Sequence, residues 1–368
     1  MKVALVPLLY EEYNFGGLLQ FYALQRAVLK LGVDAEILHV FAEKKICKRE
    51  SVFQEIKRVV LYPIILYYKI KKKHFFRDNY AERIKKTMEF KRDHYLPMYN
   101  YKKKENRYDA YICGSDQIWN PNWARERAFL SFAPSDKRKI IYAASIGSES
   151  LTDFQKNCFK PYVEKLDYIS VREYSAKEIL DSFVKNKKID VALDPTLLLT
   201  VDEWNELTEN VGYSNYLFVY FLGNVAIYQK DIIQFAQKKN LKIVNIACAS
   251  FETIEKKSFG DIIIDNAGPK TFISFIKNAS FVITDSFHAS VFSVLFKKEF
   301  LVLKRSGADM QGRIETLLKN FHLPSRIVSK IDCDLLNSLE KINYGKNDLL
   351  QKEMMNFSYG FLKNALGA

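Results

Sequence analysis

The sequence predicts an α/β protein of two Rossmann-like domains facing each other across a cleft. Three observations carry that prediction. Strand-like and helix-like patterns alternate along most of the chain, which is the signature of parallel sheets covered on both faces. The alternation runs in two series of similar size, separated by the polar stretch TVDEWNELTENVGYSN at 200–215. The motifs rich in glycine and charge fall just after the apolar runs, where strands of an open sheet present their carboxyl ends to ligands.

Each element follows from local pattern. KVALVPLL (2–9) is an apolar run of strand length, and NFGG (14–17) reads as a tight turn. In LLQFYALQRAVLKLG (18–32), Leu18, Phe21, Leu24, Val28 and Leu31 recur at spacings of three and four, the period of a helix, and Gly32 is a natural end. DAEILHV (34–40), YDAYICG (108–114), KIIYAASIG (139–147), YISVR (168–172) and IDVALDPTLLL (189–199) read as strands. DFQKNCFKPYVEKL (153–166) and SAKEILDSFV (175–184) read as the helices between them. In the second series the strands are YLFVYFLG (216–223), KIVNIAC (242–248), FVITD (281–285) and FLVLK (300–304). Its helices are YQKDIIQFAQKK (228–239), TFISFIKNA (271–279), HASVFSVLFKK (288–298), IETLLKNFHL (314–323) and DLLNSLEKINY (334–344). The expected division is a first domain of residues 1–200, a second of 201–345, and a closing helix at 346–368 whose packing the sequence leaves open.

Composition narrows the function classes. About half of the 368 residues are apolar, with 27 Phe and 22 Tyr, enough for two cores and too many for a disordered chain. The formal charge is +13, and the excess sits in a stretch at about 44–104, which holds IKRVVLYPIILYYKIKKKHFF and RIKKTMEFKRDH. That stretch reads as a basic helical insertion in the first domain, suited to an anionic membrane surface or to a solvated face. No nucleic-acid module accompanies it. Its longest apolar run, VVLYPIILYY, contains Pro63 and is too short to span a bilayer. The five cysteines are scattered, odd in number and without a CxxC, which reads as reduced thiols in a cytoplasmic protein. The N-terminus reads as a first strand and not as a signal peptide.

Several motifs offer chemistry, each beside a plainer reading. NFGG, with Asn14, Gly16 and Gly17, lets backbone approach an anion at a helix start, or is only a strand-to-helix turn. GSDQIWN (114–120) places Asp116 as an acid or base and Gln117 as a donor to hydroxyls, or Asp116 as a cap; Trp119 suits a sugar face or a core. Arg172 ends a strand and can fork onto a carboxylate or phosphate, or form a structural ion pair with Glu173 or Asp194. LDPT, with Asp194 before Pro195, reads chiefly as a turn. TDSFHAS (284–290) sets Asp285, Ser286 and His288 where a strand hands over to a helix, an anion site with a general acid, or a capping turn. Lys304 ends a strand and Arg313 opens a helix, so both can face the same ligand. No GxSxG elbow or H-E-x-x-H pair is present, so neither a serine triad nor a metal site is marked.

Taken together, NFGGLLQFYALQ (14–25), YDAYICGSDQIWN (108–120), ISVRE (169–173), LDPTLL (193–198) and FVITDSFHASVFSVLF (281–296) resemble the polysaccharide pyruvyl transferase family, in family order. Many members have a glycine after the histidine, where this chain has Ala289. The resemblance implies a GT-B-like pair of domains and transfer of a pyruvyl unit from phosphoenolpyruvate to sugar hydroxyls, forming a ketal. It implies an anion-binding arginine and histidine at Arg172 and His288, and a lysine at Lys304.

The residues suit that chemistry. Phosphoenolpyruvate carries a carboxylate and a phosphate, which call for cations and a helix N-terminus. An acid must protonate its methylene carbon and a base must accept hydroxyl protons, roles for His288, Asp116 or Asp285; Asp285 can instead orient His288. Substrate contacts are expected from Arg172, Lys304, Ser286, Asn14, Gly16, Gly17, Gln117 and Arg313. The scheme requires no metal or other cofactor. The expected acceptor is a saccharide, lipid-linked and met at the inner face of the cytoplasmic membrane, where the basic insertion finds a use. Two rivals share these features: a glycosyltransferase using a nucleotide sugar, and a glycan-binding protein without catalysis.

Overall fold

A computed structural model describes residues 1–8, 14–40, 44–47, 79–101, 107–247, 259–305, 311–331, 335 and 338–368. Among them two sheets form, and every pairing between strands is parallel. The first has seven strands in the order β3-β2-β1-β4-β5-β6-β7, with β1 at Lys2–Val6, β2 at Asp34–His39, β3 at Met98–Asn100, β4 at Ala110–Gly114, β5 at Arg138–Ala144, β6 at Tyr168–Val171 and β7 at Ile189–Val191. The second has six in the order β10-β9-β8-β11-β12-β13, with β8 at Tyr216–Tyr220, β9 at Lys242–Ile246, β10 at Ile262–Ile264, β11 at Phe281–Thr284, β12 at Phe300–Leu303 and β13 at Ile327–Val328. Strand order reverses between β1 and β4 in one sheet and between β8 and β11 in the other. A ligand crevice opens at such switch points, beyond the carboxyl ends of the strands. Gly114–Gln117 leaves one of them and Asp285–His288 the other.

The helix Phe15–Leu29 welds the domains together. Thirteen of its fifteen residues are buried, so it is enclosed by protein on nearly every side and mostly apolar, with Gln20 and Gln25 hydrogen-bonded inside. Phe15 packs on Phe272 of the second domain with ring centroids 5.6 Å apart. Tyr22 meets Trp204 at 5.8 Å, and Trp204 meets Phe292 at 4.9 Å. One apolar cluster therefore runs from Val3 and Ile112 in the first sheet to Phe218 and Val282 in the second.

Four sequence expectations are corrected. The first helix begins at Phe15, not Leu18: Asn14 Oδ1 accepts from the Gly17 amide at 2.9 Å, so NFGG is the first helical turn itself. β7 stops at Val191, because Asp194 and Pro195 open a 3-10 turn, Pro195–Leu198. The basic stretch is not helical throughout, since Met98–Asn100 forms β3 beside β2, while its helix Asn79–His94 reaches the second domain, Arg83 Nη1 donating to the Ala247 carbonyl at 2.8 Å. The helix expected at 334–344 does not run to Tyr344: residues 339–343 are not helical, and 334, 336 and 337 lie outside the described residues, as do 48–78, with VVLYPIILYY, and 102–104 of the basic stretch.

The last helix, Asn347–Leu366, returns to the first domain. Ser358 Oγ accepts from the Leu193 amide at 3.0 Å, Tyr359 Oη donates to the Leu198 carbonyl at 3.0 Å, and Phe361 packs near Tyr142. Two of the cysteines that look scattered in sequence meet. Cys47 hydrogen-bonds with Cys158 on the helix Asp153–Val163, and burial followed by that contact pushes its thiol up to about 12.

Candidate functional site

The site grows from three strand ends of the first sheet and one corner of the second. Beyond β4, Gly114 sits at φ 146°, and an added methyl there would lie 1.9 Å from the Tyr142 carbonyl oxygen, so only glycine fits. Ser115 is pinned by its amide to Gln20 Oε1 at 3.1 Å and by its hydroxyl to the Ala143 carbonyl at 2.6 Å. Asp116 follows in the left-handed region at φ 62°, a conformation aspartate tolerates better than most residues, and its carbonyl accepts from the Ser145 and Ile118 amides. Its carboxylate is thereby aimed at the cleft. It lies 3.6 Å from Arg172 Nη2 and 3.7 Å from Arg313 Nη1, and makes no side-chain hydrogen bond among the described residues.

Arg172, beyond β6, is 4% exposed. Its Nη1 donates to Asp194 Oδ2 at 2.5 Å and its Nε lies 3.4 Å from Glu173 Oε1. The ring of Phe287 from the second domain lies over its guanidinium at 4.1 Å. Burial opposes the arginine's charge, but Asp194, Glu173 and Asp116 outweigh it and hold the guanidinium above its ordinary range. Asp194 shows the same contest. Burial alone would raise its carboxyl; the neighbouring His288 and the charge of Arg172 hold it well below the usual carboxylate range. Glu173 goes the other way: burial wins over both arginines and pushes its carboxyl up. Arg313, buried beside the like charge of Arg172, is pushed down to about 10.

The second domain supplies Arg313, from the helix Gln311–Asn320, and two consecutive residues at the corner after β11. The helix Phe287–Leu295 is capped by Ser286, whose hydroxyl accepts from the Ala289 amide at 3.4 Å. Phe287 covers Arg172, and His288, 7% exposed, brings Nε2 to 3.7 Å from Asp194 Oδ2. That nitrogen is buried and without a hydrogen-bond partner. The imidazole fits because residue 16 is glycine: a methyl there would sit 2.1 Å from Nδ1 and 2.4 Å from Cγ.

The sequence candidates therefore divide. Asp116, Arg172, His288 and Arg313 come together, with Gln117 beside them; turned so that its side-chain oxygen faces Arg313, it accepts from both terminal nitrogens at 3.1 Å. Asn14 and Ser286 act as helix caps, Gly17 donates its amide to Asn14, and Gly16 makes room for His288. Asp285 faces away from His288, because its carboxylate is saturated by the Leu222 amide at 2.7 Å, the Gly223 amide at 2.8 Å and Arg305 Nε at 2.9 Å. Lys304 is exposed at the end of β12 and forms no ion pair among the described residues; its neighbour Arg305 turns inward to Asp285. Trp119 is wholly buried, donates to the Ala128 carbonyl at 2.8 Å and stacks on Phe129, so it is core. Three members of the cluster escaped sequence reading as site residues, Glu173 among them because it reads only as an ion-pair partner of Arg172. Asp194 looked like a turn, which it also is, and Phe287 carried no signal beyond its place between Asp285 and His288.

The arrangement is a buried set of two guanidiniums and three carboxylates with one imidazole at its edge. Asp116 and His288 can exchange protons with a bound molecule, and Arg313 with the second terminal nitrogen of Arg172 can meet an anion. Among the described residues no group of three or more His, Cys, Asp or Glu side chains is placed to hold a metal ion, and no helix is long and apolar enough to cross a membrane.

Comparison with known proteins gives two results. The family model described as polysaccharide pyruvyl transferase matches residues 14–307. Among solved structures, a UDP-GlcNAc 2-epimerase from Methanocaldococcus jannaschii in complex with UDP-GlcNAc and UDP is similar at 12% identity and TM-score 0.53, covering 98% of this chain and 100% of that one. A putative UDP-N-acetylglucosamine 2-epimerase from Listeria monocytogenes is similar at 11% identity and TM-score 0.51, covering 98% and 94%. At such identity the likeness speaks to the fold, two Rossmann-like domains in a GT-B-like arrangement. No curated protein matches the chain.

Proposed function

The chain belongs to the polysaccharide pyruvyl transferase family, and from that premise we propose that it transfers a pyruvyl group from phosphoenolpyruvate to two hydroxyls of a saccharide. The observation that carries the reading is the convergence of His288, Arg172, Arg313 and Asp116 where the two switch points face each other. In this scheme Arg313 and the free terminal nitrogen of Arg172 hold the donor's anionic groups, and His288 faces the same groups from the second domain. Protonation of the methylene carbon turns it into a methyl and makes C2 electrophilic. One sugar hydroxyl adds to C2, the C2–O bond to phosphate breaks, and a second hydroxyl closes the ketal. Two C–O bonds form, one breaks, and of the two hydroxyl protons one is matched by the methyl carbon and the other leaves with phosphate or solvent. Asp116, whose carboxylate makes no hydrogen bond among the described residues, is the group that moves them in this scheme. No metal or other cofactor enters the scheme.

The acceptor in this reading is a saccharide of a cell-surface polysaccharide or its lipid-linked precursor, met at the cytoplasmic face of a membrane. The concentration of lysine and arginine at 44–104 favours an anionic surface nearby. The test is release of phosphate from phosphoenolpyruvate with a panel of lipid-linked and nitrophenyl hexosides, with product mass measured in parallel. Acceptor-dependent phosphate, a mass gain equal to a pyruvate ketal, and loss of both in His288→Ala and Arg172→Ala are expected. Release of a nucleoside diphosphate from a nucleotide sugar, with none from phosphoenolpyruvate, would replace this reading with glycosyl transfer.

A further inference from the structure

Asp194 is the group that both halves of the cluster share. Its side chain is 1% exposed, and its two oxygens have separate duties. Oδ1 accepts from Thr196 Oγ1 at 2.6 Å and from the Thr196 amide at 3.0 Å, which closes the turn after β7. Oδ2 looks into the cluster, accepting from Arg172 Nη1 at 2.5 Å and lying 3.5 Å from Ser115 Oγ and 3.7 Å from His288 Nε2. Both oxygens thus face donors only. An amide at this position would have to turn its NH2 toward Thr196 or toward Arg172, so the site demands a carboxylate.

The imidazole is held between two walls. Nε2, buried and without a partner, is on the Asp194 side. Nδ1 is on the side of Gly16, at the start of the first helix, in space that a Cβ would fill. A histidine with a carboxylate beside one nitrogen and only glycine backbone packed beside the other is one whose tautomer and orientation the carboxylate sets.

We propose that Asp194 is a positioning residue: its Oδ2 accepts a hydrogen bond from Nε2 of His288 when the donor binds, which fixes the tautomer and orientation of the imidazole, and it keeps Arg172 in register on the same oxygen. The gap of 3.7 Å closes to hydrogen-bond length in the bound state, as long contacts in empty sites commonly do. Asp194 belongs to the first domain and His288 to the second, so this contact also ties donor binding to the approach of the two domains. The inference rests on the proposed transfer, and its test separates the two.

The experiment compares wild type, Asp194→Asn and Thr196→Val, each checked for its melting temperature. Two readouts are taken: kcat and KM for phosphoenolpyruvate across pH, and 15N imidazole NMR with the His288 signals assigned by their loss in His288→Gln. Asp194→Asn should lower kcat/KM by about 100-fold or more, mostly in kcat, with an altered pH profile. Its His288 should lose the Nε2-protonated signature that wild type shows. Thr196→Val keeps Oδ2 and should stay within about tenfold while mixing the tautomers, and it decides the matter if Asp194→Asn does not fold. An unchanged pH profile and an unchanged His288 tautomer in the folded variants would overturn the proposal with the transfer reading intact. If wild type releases no phosphate from phosphoenolpyruvate with any acceptor, the transfer reading fails, and the tautomer comparison still decides what Asp194 does to His288.

Discussion

Two aspartates stand at equivalent places in the two sheets and do different work. Asp116 follows β4 at the first switch point, and Asp285 follows β11 at the second. Asp285 is closed on itself: two backbone amides and Arg305 use up its oxygens. Asp116 is held by its backbone alone, and its carboxylate faces two guanidiniums at distances too long for hydrogen bonds. The difference teaches where reactivity resides in such a fold. A carboxylate already saturated by its own domain builds the corner, and one left unsaturated beside cations is available to a substrate.

The comparison is broken or sharpened by substitution. The largest effect is expected from Asp116→Asn, which should lower kcat by about 10²- to 10⁴-fold with little change in melting temperature; unaltered turnover would place the acid or base elsewhere. Gly16→Ala comes next. Its methyl overlaps the His288 ring, so the imidazole must leave its seat, at a cost of about 1–3 kcal/mol in stability and a loss of turnover that urea titration and kinetics together would reveal. Asp285→Asn should show the reverse profile: about 1–3 kcal/mol of stability lost as an amide goes unpaired, with turnover per folded molecule kept. If Asp285→Asn removes activity at an unchanged unfolding midpoint, the contrast between the two corners is wrong.

Smaller effects follow from charge. Asp194 is held low and Glu173 is pushed up, so they depend on pH in opposite senses. Asp194 stabilises fully above its unfolded value of about 3.9, and that contribution is lost as pH falls through its depressed native value. Glu173 is favoured as the protonated acid, so its contribution is present below its unfolded value of about 4.3 and is lost as pH rises through its raised native value. Urea midpoints should therefore show Asp194→Asn flattening the fall in stability below about pH 4. Glu173→Gln should be more stable relative to wild type at neutral pH than at acid pH. The smallest change is expected from Lys304→Ala, within about 0.5 kcal/mol as for other exposed positions; Arg305→Ala, which strips Asp285 of its ion pair, should cost more.

Much of this architecture is legible in the residues, because parallel strands buried on both faces read as unbroken apolar runs. The strands that escape are β3, β10 and β13, three, three and two residues long. All three are at sheet edges, where brevity protects the sheet and erases the pattern. In the site, Asp116, Arg172 and His288 stand out because each follows a strand within a distinctive motif. Asp194 stands out less: the hydrogen bonds that make LDPT a turn use one oxygen, and for the other the sequence offers only a structural ion pair with Arg172, not its place beside His288. Lys304 and Arg305 show the same limit at finer scale. Both are cations at one strand end, and only packing decides which of them turns inward.

The closing helix carries a consequence for how the chain is made. Residues Asn347–Leu366 cover Tyr142 and anchor Leu193, the neighbour of Asp194, yet they are synthesised after the whole second sheet. The first seven strands therefore emerge from the ribosome with part of their apolar surface bare, and they keep it bare while six more are translated. Vectorial folding, domain by domain, cannot finish here. The amino-terminal half matures last, and the wait leaves a stretch of biosynthesis in which a chaperone has something to hold.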